Sequence, residues 1–190
     1  MILVSVIIPA FNQKQNIVSL INSLLTQTYP RDKFEIIFVD NGSVDGTFEE
    51  LQKYTDIIAL HESFPSSYAA RAKGVNHAKG EILAFMDSDE IADKYWIENG
   101  VNALKNASYA GGKILHQDSR RYFLSLYDEY IINYKRQTNS IVSKTICAGN
   151  FFIWKDEYIK IGGFDAQLIS GGDTMISLAA KKNGLKFLFA

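Results

Sequence analysis

From residue 3 to residue 89, short apolar runs alternate with segments of helical period, and this alternation restricts the folds open to the chain. Runs at 3–8, 35–40, 57–60 and 82–86 are apolar over most of their length, as strands covered on both faces are. Between them, Ile17, Leu20, Ile21, Leu24 and Leu25 share one helical face that stops at Tyr29-Pro30. A second helix follows Asp45-Gly46-Thr47, and a third is predicted over 69–78, closing at Lys79-Gly80. Strand, helix, strand in this order is the signature of a mostly parallel sheet flanked by helices. Beyond Asp93, the pattern predicts a helix carrying Trp96, Ile97, Val101 and Leu104, then a strand over 109–115. A helix with a mobile connection is expected across 118–143, a strand over 148–154, a helix over 173–182 and a strand-like run at 185–190. The expected fold class is α/β, a three-layer α/β/α sandwich with a mostly parallel central sheet.

At 190 residues the chain suits a single domain, 1–190, which a longer gene product would extend past Ala190. A net charge of -1 gives no broad basic field, so nucleic acid is not the expected partner, while a small anionic ligand is compatible. Cys147 is the single cysteine; it excludes an internal disulfide framework and reads as a small buried apolar residue. The first residues carry neither a positive leader nor a cleavage pattern, and no apolar run approaches the roughly 20 residues of a bilayer span. A cytoplasmic protein is expected, with peripheral contact at the inner face of a membrane also compatible.

Two of the apolar runs end in acids. Ile82-Leu83-Ala84-Phe85-Met86 leads into Asp87-Ser88-Asp89, and Glu35-Ile36-Ile37-Phe38-Val39 into Asp40-Asn41-Gly42-Ser43. In open α/β sheets the crevice outside the carboxyl ends of the strands binds ligands. Asp87 and Asp89, two apart on an extended chain, can face one ligand, and close carboxylates favour a hard divalent cation bridging substrate phosphates. The plainer alternative is that Asp87 caps the helix near Asp93 while Ser88 forms a turn. Asp40 can accept from a base edge or a ribose, or simply open an Asp-Asn-Gly-Ser turn. Arg71 is either part of a solvated helix face or a clamp on a pyrophosphate.

Taken together, these segments resemble the family 2 glycosyltransferases of the nucleotide-diphospho-sugar transferase (GT-A) fold. The resemblance rests on Val6-Ile7-Ile8-Pro9-Ala10-Phe11-Asn12, on Val39 to Ser43 with Asp45-Gly46-Thr47, on Arg71 to Gly74 with Ala78-Lys79-Gly80, and on Asp87-Ser88-Asp89. It continues through Ala148-Gly149-Asn150, Ile161-Gly162-Gly163-Phe164-Asp165 and Gly171-Gly172-Asp173. It implies that Pro9, Phe11 and Asp40 line a nucleoside pocket, that Arg71, Asp87 and Ser88 hold the nucleotide, and that Asp89 ligates Mn²⁺ or Mg²⁺. Gly149 and Asn150 would lie on the acceptor side. Family members usually carry an acidic pair whose aspartate is the base; here Gly172 stands in place of the first acid and Asp173 remains. Asp173 is therefore expected either as the base or as an ordinary cap of the last helix.

The implied reaction is an inverting, metal-dependent transfer from a nucleotide-diphosphate sugar, a UDP-sugar first, to a hydroxyl of a saccharide or lipid-linked glycan. Tyr122, Tyr127, Tyr130 and Tyr134 are read as helix packing, with an acceptor wall or lid as the alternative. Arg120, Arg121, Lys135 and Arg136 are read as a solvated face, with an anionic acceptor or membrane surface as the alternative. His61, His77 and His116 show no metal-ligand spacing and receive no role. A sugar-phosphate nucleotidylyltransferase would need a glycine-rich basic loop after the first strand, where this chain has Pro9-Ala10-Phe11-Asn12-Gln13. A non-catalytic sugar-nucleotide-binding or scaffold module is the rival of a different class. Absence of a glutamine-and-tryptophan motif and of membrane helices favours single additions over processive synthesis; the sequence leaves the oligomeric state open.

Overall fold

Strand β1 (Val4–Ala10) is buried at every position, which is why its sequence shows no polar alternation. In the computed structural model, which describes residues 1–114 and 145–189, β1 lies between β2 (Phe34–Asp40) and β4 (Ile82–Met86), parallel to both. Among the described residues the sheet has seven strands in the order β3-β2-β1-β4-β6-β5-β7, adding β3 (Ile58–His61), β5 (Tyr109–Gly111), β6 (Asn150–Trp154) and β7 (Phe187–Phe189). All neighbours are parallel except β6, which runs against both β4 and β5.

Side-chain alternation sends each strand into two cores. Val4, Val6, Ile8 and Ala10 join Ile36, Phe38, Ile82 and Ala84 under α1 (Lys14–Leu25), α2 (Thr47–Leu51) and α4 (Trp96–Leu104). Ile7, Ile37, Leu83 and Phe85 face α3 (Ser67–His77), α5 (Lys155–Lys160) and α6 (Gly172–Lys182) on the other side. The molecule is thus the three-layer α/β/α sandwich that the sequence pattern predicts. Phe85, Phe151, Tyr158 and Phe164 form an aromatic cluster in the second core, with centroids of Phe85 5.3–5.7 Å from the other three.

Several boundaries differ from expectation for local reasons. Strand β1 extends through Pro9 to Ala10 because the β4 ladder ends at Ile7–Phe85, so the missing proline N–H falls where β4 offers no partner. The strand expected over 148–154 begins at Asn150, after a turn at Ala148 and Gly149. Helix α5 follows β6 directly and has no counterpart in the sequence reading. Cys147, expected to be buried, is exposed, because it lies ahead of β6 rather than in the strand itself. The expectations for 118–143, including Tyr122, Tyr127, Tyr130, Tyr134, Arg120, Arg121, Lys135 and Arg136, lie outside the described residues, as do His116, Leu115 and Ala190. Among the described residues no helix is long and apolar enough to cross a membrane.

The loops after β1 and β2 are fastened together. Asn12, at φ 52°, donates its N–H to Ser43 Oγ and accepts from Val44 N–H, each at 2.9 Å. Helix α1 has no side-chain cap of its own; Thr47 and Asp45 accept the N–H groups of Gln13 and Lys14 at 2.8 and 3.1 Å. The Asp-Gly-Thr segment therefore works as a cap supplied from another loop, meeting the orphan donors of a helix end.

Candidate functional site

Successive strands progress from β1 outward to β2 and β3 on one side, and to β4 on the other, so the strand order reverses at the β1/β4 boundary. A crevice opens at the carboxyl ends of those two strands, where open α/β sheets hold their ligands. Its volume is about 200 Å³, lined among others by Pro9, Phe11, Asn41, Asp87, Ser88 and Asp89. This is below the roughly 300–1,000 Å³ that encloses a drug-sized ligand, so it holds part of one. A larger groove of about 550 Å³ flanks α3 between Phe64, Lys73, His77 and Gln167 and contains none of the strand-end aspartates.

Asp40 ends β2 at 1% exposure. Its Oδ2 accepts from the Gly42 and Ser43 N–H groups, both at 3.1 Å, and lies 3.3 Å from His61 Nδ1 at the end of β3. Among the described residues its Oδ1 has no hydrogen-bond partner. A buried acceptor left open this way costs free energy unless something donates to it. The Asp-Asn-Gly-Ser turn and the ligand role are thus compatible: one oxygen closes the turn and the other is free.

Arg71 sits on the second turn of α3, 3% exposed, and its Nη2 donates to Asp87 Oδ1 in a short contact. It is not a solvated surface residue: one nitrogen of its guanidinium pairs with the carboxylate at the tip of β4. Among the described residues its Nε has no hydrogen-bond partner. Burial raises the Asp87 carboxyl above its ordinary value; the Arg71 charge opposes this, and the Asp89 and Asp173 carboxylates add to it. Ser88 is buried and Asp89 exposed. Asp87 does not cap the next helix: α4 begins at Trp96, and its flanking Tyr95 makes no side-chain cap.

A carboxylate that the sequence reading passed over completes this edge. Glu90 Oε2 accepts from the Asp87 N–H at 3.4 Å, and burial together with the Asp87 charge pushes its carboxyl up to about 8. Antiparallel β6 brings Gly149 against both acids: a Cβ there would lie 2.5 Å from Glu90 Oε1 and 2.9 Å from Asp87 Oδ2. Gly149 is therefore placed by close approach to the acidic edge. Asn150, expected on the acceptor side, is instead engaged in the fold. Its Oδ1 accepts from Trp96 Nε1 at 2.9 Å and its Nδ2 donates to the Lys113 carbonyl at 3.1 Å.

Asp173 lies inside α6, not at its cap; the flanking Gly171 takes φ 79° and the helix has no side-chain cap. The carboxylate reaches across the site instead. Ala148 N–H donates to Oδ2 at 3.1 Å and the Tyr68 hydroxyl to Oδ1 at 3.3 Å. The cap reading thus gives way to one in which α3, α6 and the turn before β6 converge on one carboxylate.

Among the described residues, no group of three or more His, Cys, Asp or Glu side chains gathers to hold a metal ion. Asp89, exposed next to Asp87, matches the different donor set used by Mg²⁺ and Mn²⁺ when one or two carboxylates share the cation with substrate phosphates. The fit is to a cation that arrives with an anionic ligand, not to a closed protein cage.

Residues 5–161 match the model of glycosyl transferase family 2. Glycosyltransferase AglE of Haloferax volcanii is 34% identical over 197 residues, covering 98% of this chain and 64% of that protein. TarS of Staphylococcus aureus, a poly(ribitol-phosphate) β-N-acetylglucosaminyltransferase, is 34% identical over 95 residues, covering 47% of this chain and 17% of TarS. The structure of TarS 1–349 in complex with UDP-GlcNAc superimposes with a TM-score of 0.75 at 21% identity, covering 99% of this chain and 56% of that one. Mannosyltransferase PcManGT of Pyrobaculum calidifontis, solved with GDP-Man and Mn²⁺, gives 0.73 at 22% identity, covering 98% and 54%. The chain spans less than two thirds of the length of these relatives.

Proposed function

The chain belongs to glycosyl transferase family 2, and on that premise we propose that it transfers a sugar, with inversion, from a nucleotide-diphosphate sugar to a hydroxyl acceptor. A UDP-sugar is the donor we favour. The open oxygen of Asp40 suits a nucleobase with a single N–H to offer, and TarS was solved with UDP-GlcNAc. Pro9 and Phe11 would form the walls of the nucleoside site, with Asp87, oriented by Arg71, and Ser88 along the nucleotide. The acceptor we favour is a saccharide or lipid-linked glycan.

The observation that carries the transfer reading is the Asp173 carboxylate, freed from helix capping and fixed from two sides near the donor crevice. As the base it takes the acceptor hydroxyl proton. The acceptor oxygen then bonds to the anomeric carbon while the bond from that carbon to the diphosphate oxygen breaks. The bond-breaking electrons leave with the diphosphate. Asp89 would hold a Mn²⁺ or Mg²⁺ ion, which would supply Lewis-acid neutralisation of the leaving diphosphate. Binding and orientation of the donor fall to Asp40, Asp87 and Ser88.

A donor-hydrolysis and transfer screen with several nucleotide sugars, with and without Mn²⁺, tests this on the wild-type chain and on Asp173→Asn. Turnover of at least one donor, abolished by Asp173→Asn with UDP binding retained, is expected. Donor binding without turnover in both proteins would make the chain a binding module instead.

A further inference from the structure

Gly172 opens α6 directly against the ring of Tyr68. A Cβ on Gly172 would lie 2.5 Å from Tyr68 Cε1 and 2.7 Å from Cδ1 and Cζ. As the ring stands, no side chain fits at that position, acidic or otherwise. The ring itself is well fixed. Tyr68 is 9% exposed, tilts against Phe164 at 5.5 Å between centroids, and has the Arg71 guanidinium 5.7 Å from its own centroid. Its backbone N–H is anchored on the Ser66 hydroxyl that caps α3.

From this seat the Tyr68 hydroxyl reaches Asp173 Oδ1 at 3.3 Å, while Ala148 N–H holds Oδ2 at 3.1 Å. Each carboxylate oxygen thus keeps one donor from a different element and retains lone-pair capacity for a ligand. Burial, together with the Asp173 charge, raises the Tyr68 phenol above its ordinary value, so it stays protonated and acts as the donor.

We propose that Tyr68 is a positioning residue for Asp173: its ring fills the space of the missing first acid, and its hydroxyl fixes the orientation of the carboxylate that remains. This rests on the reading of Asp173 as the base. Tyr68 and Gly172 form a matched pair, because the ring requires the glycine and the lone aspartate requires the hydroxyl. A ring on a buried helix turn is also stiffer than a flexible glutamate, which suits a contact whose purpose is orientation.

The test is steady-state kinetics on Tyr68→Phe, Gly172→Ala and the double variant, with UDP affinity and thermal midpoint measured in parallel. Tyr68→Phe keeps the ring and removes the hydroxyl; kcat should fall about tenfold while donor KM and UDP affinity stay within about twofold. Gly172→Ala should displace the ring and reproduce that loss, and the double variant should be no worse than Tyr68→Phe alone. Wild-type kcat in Tyr68→Phe, a loss carried by KM, or losses that multiply in the double variant would each overturn the proposal. Inactive Asp173→Asn combined with fully active Tyr68→Phe overturns the positioning role alone. Wild-type turnover in Asp173→Asn overturns the base assignment and the positioning role with it.

Discussion

Arg71, 3% exposed on α3, donates to Asp87 at the tip of β4, so the acidic edge of the crevice carries its own buried cation. Removing the cation leaves Asp87 facing Asp89, Glu90 and Asp173 without compensation. Arg71→Met should destabilise the fold by about 2 kcal/mol. That is below the 3–5 typical of a broken buried pair, because the Asp87 side chain keeps 40% exposure to screening solvent. Urea denaturation measures it, and wild-type stability in Arg71→Met would mean the pair contributes nothing.

Asp40→Asn separates the two oxygens of that carboxylate. The Gly42 and Ser43 N–H groups need an acceptor at the Oδ2 position, which directs the new amide nitrogen to the Oδ1 position. An open acceptor becomes a donor. UDP affinity should fall at least about tenfold, the scale of one charge-assisted hydrogen bond lost and one donor misplaced. Calorimetric titration with UDP checks this, and unchanged affinity would remove Asp40 from the nucleoside site.

Glu90 makes stability fall as pH rises. With its folded pKa at about 8 against an ordinary 4.5, the folded chain holds a proton that the unfolded chain releases between these values. The stabilisation is fully present below about pH 4.5 and is lost as pH passes through 8. Chelator-treated wild type should lose about 2–4 kcal/mol across that window relative to Glu90→Gln. Parallel unfolding curves for the two proteins at pH 5, 7 and 8.5, with no difference in slope, would contradict it.

Gly149→Ala tests the antiparallel contact. The added methyl meets Glu90 Oε1 at 2.5 Å and Asp87 Oδ2 at 2.9 Å, so one or both carboxylates must move. Donor KM should rise about tenfold, and Glu90→Ala in the same chain should recover part of the loss by making room. No change in KM for Gly149→Ala would show that the acids have slack to spare.

What the sequence made readable follows the range of the forces involved. Strands β1, β2 and β4 were legible because burial on both faces leaves runs that are apolar over most of their length, and their terminal acids followed from the strand ends. Glu90 was in plain view as the next acid after Asp89, but its role depends on Gly149, which arrives from β6. Asn150 looked like an acceptor-side residue because local sequence does not show that Trp96 already uses its oxygen. The Tyr68 contact with Asp173 joins residues 105 apart, with no periodic signal to announce it. Cys147 was misjudged because its residue type favours burial, whereas its place in the chain ahead of β6 leaves it exposed.

The direction of β6 has a further consequence. Because it runs against β4, β6 begins where β4 ends, so the backbone that meets the acid edge is its leading turn, with Ala148 and Gly149. On the proposed function, recognition of the leaving group would be written in one contiguous stretch of chain, and the chemistry at the incoming hydroxyl in another. The two texts meet at two seams, the approach of Gly149 to the acids and the Tyr68 hydroxyl on Asp173, and at each of them a glycine makes the room.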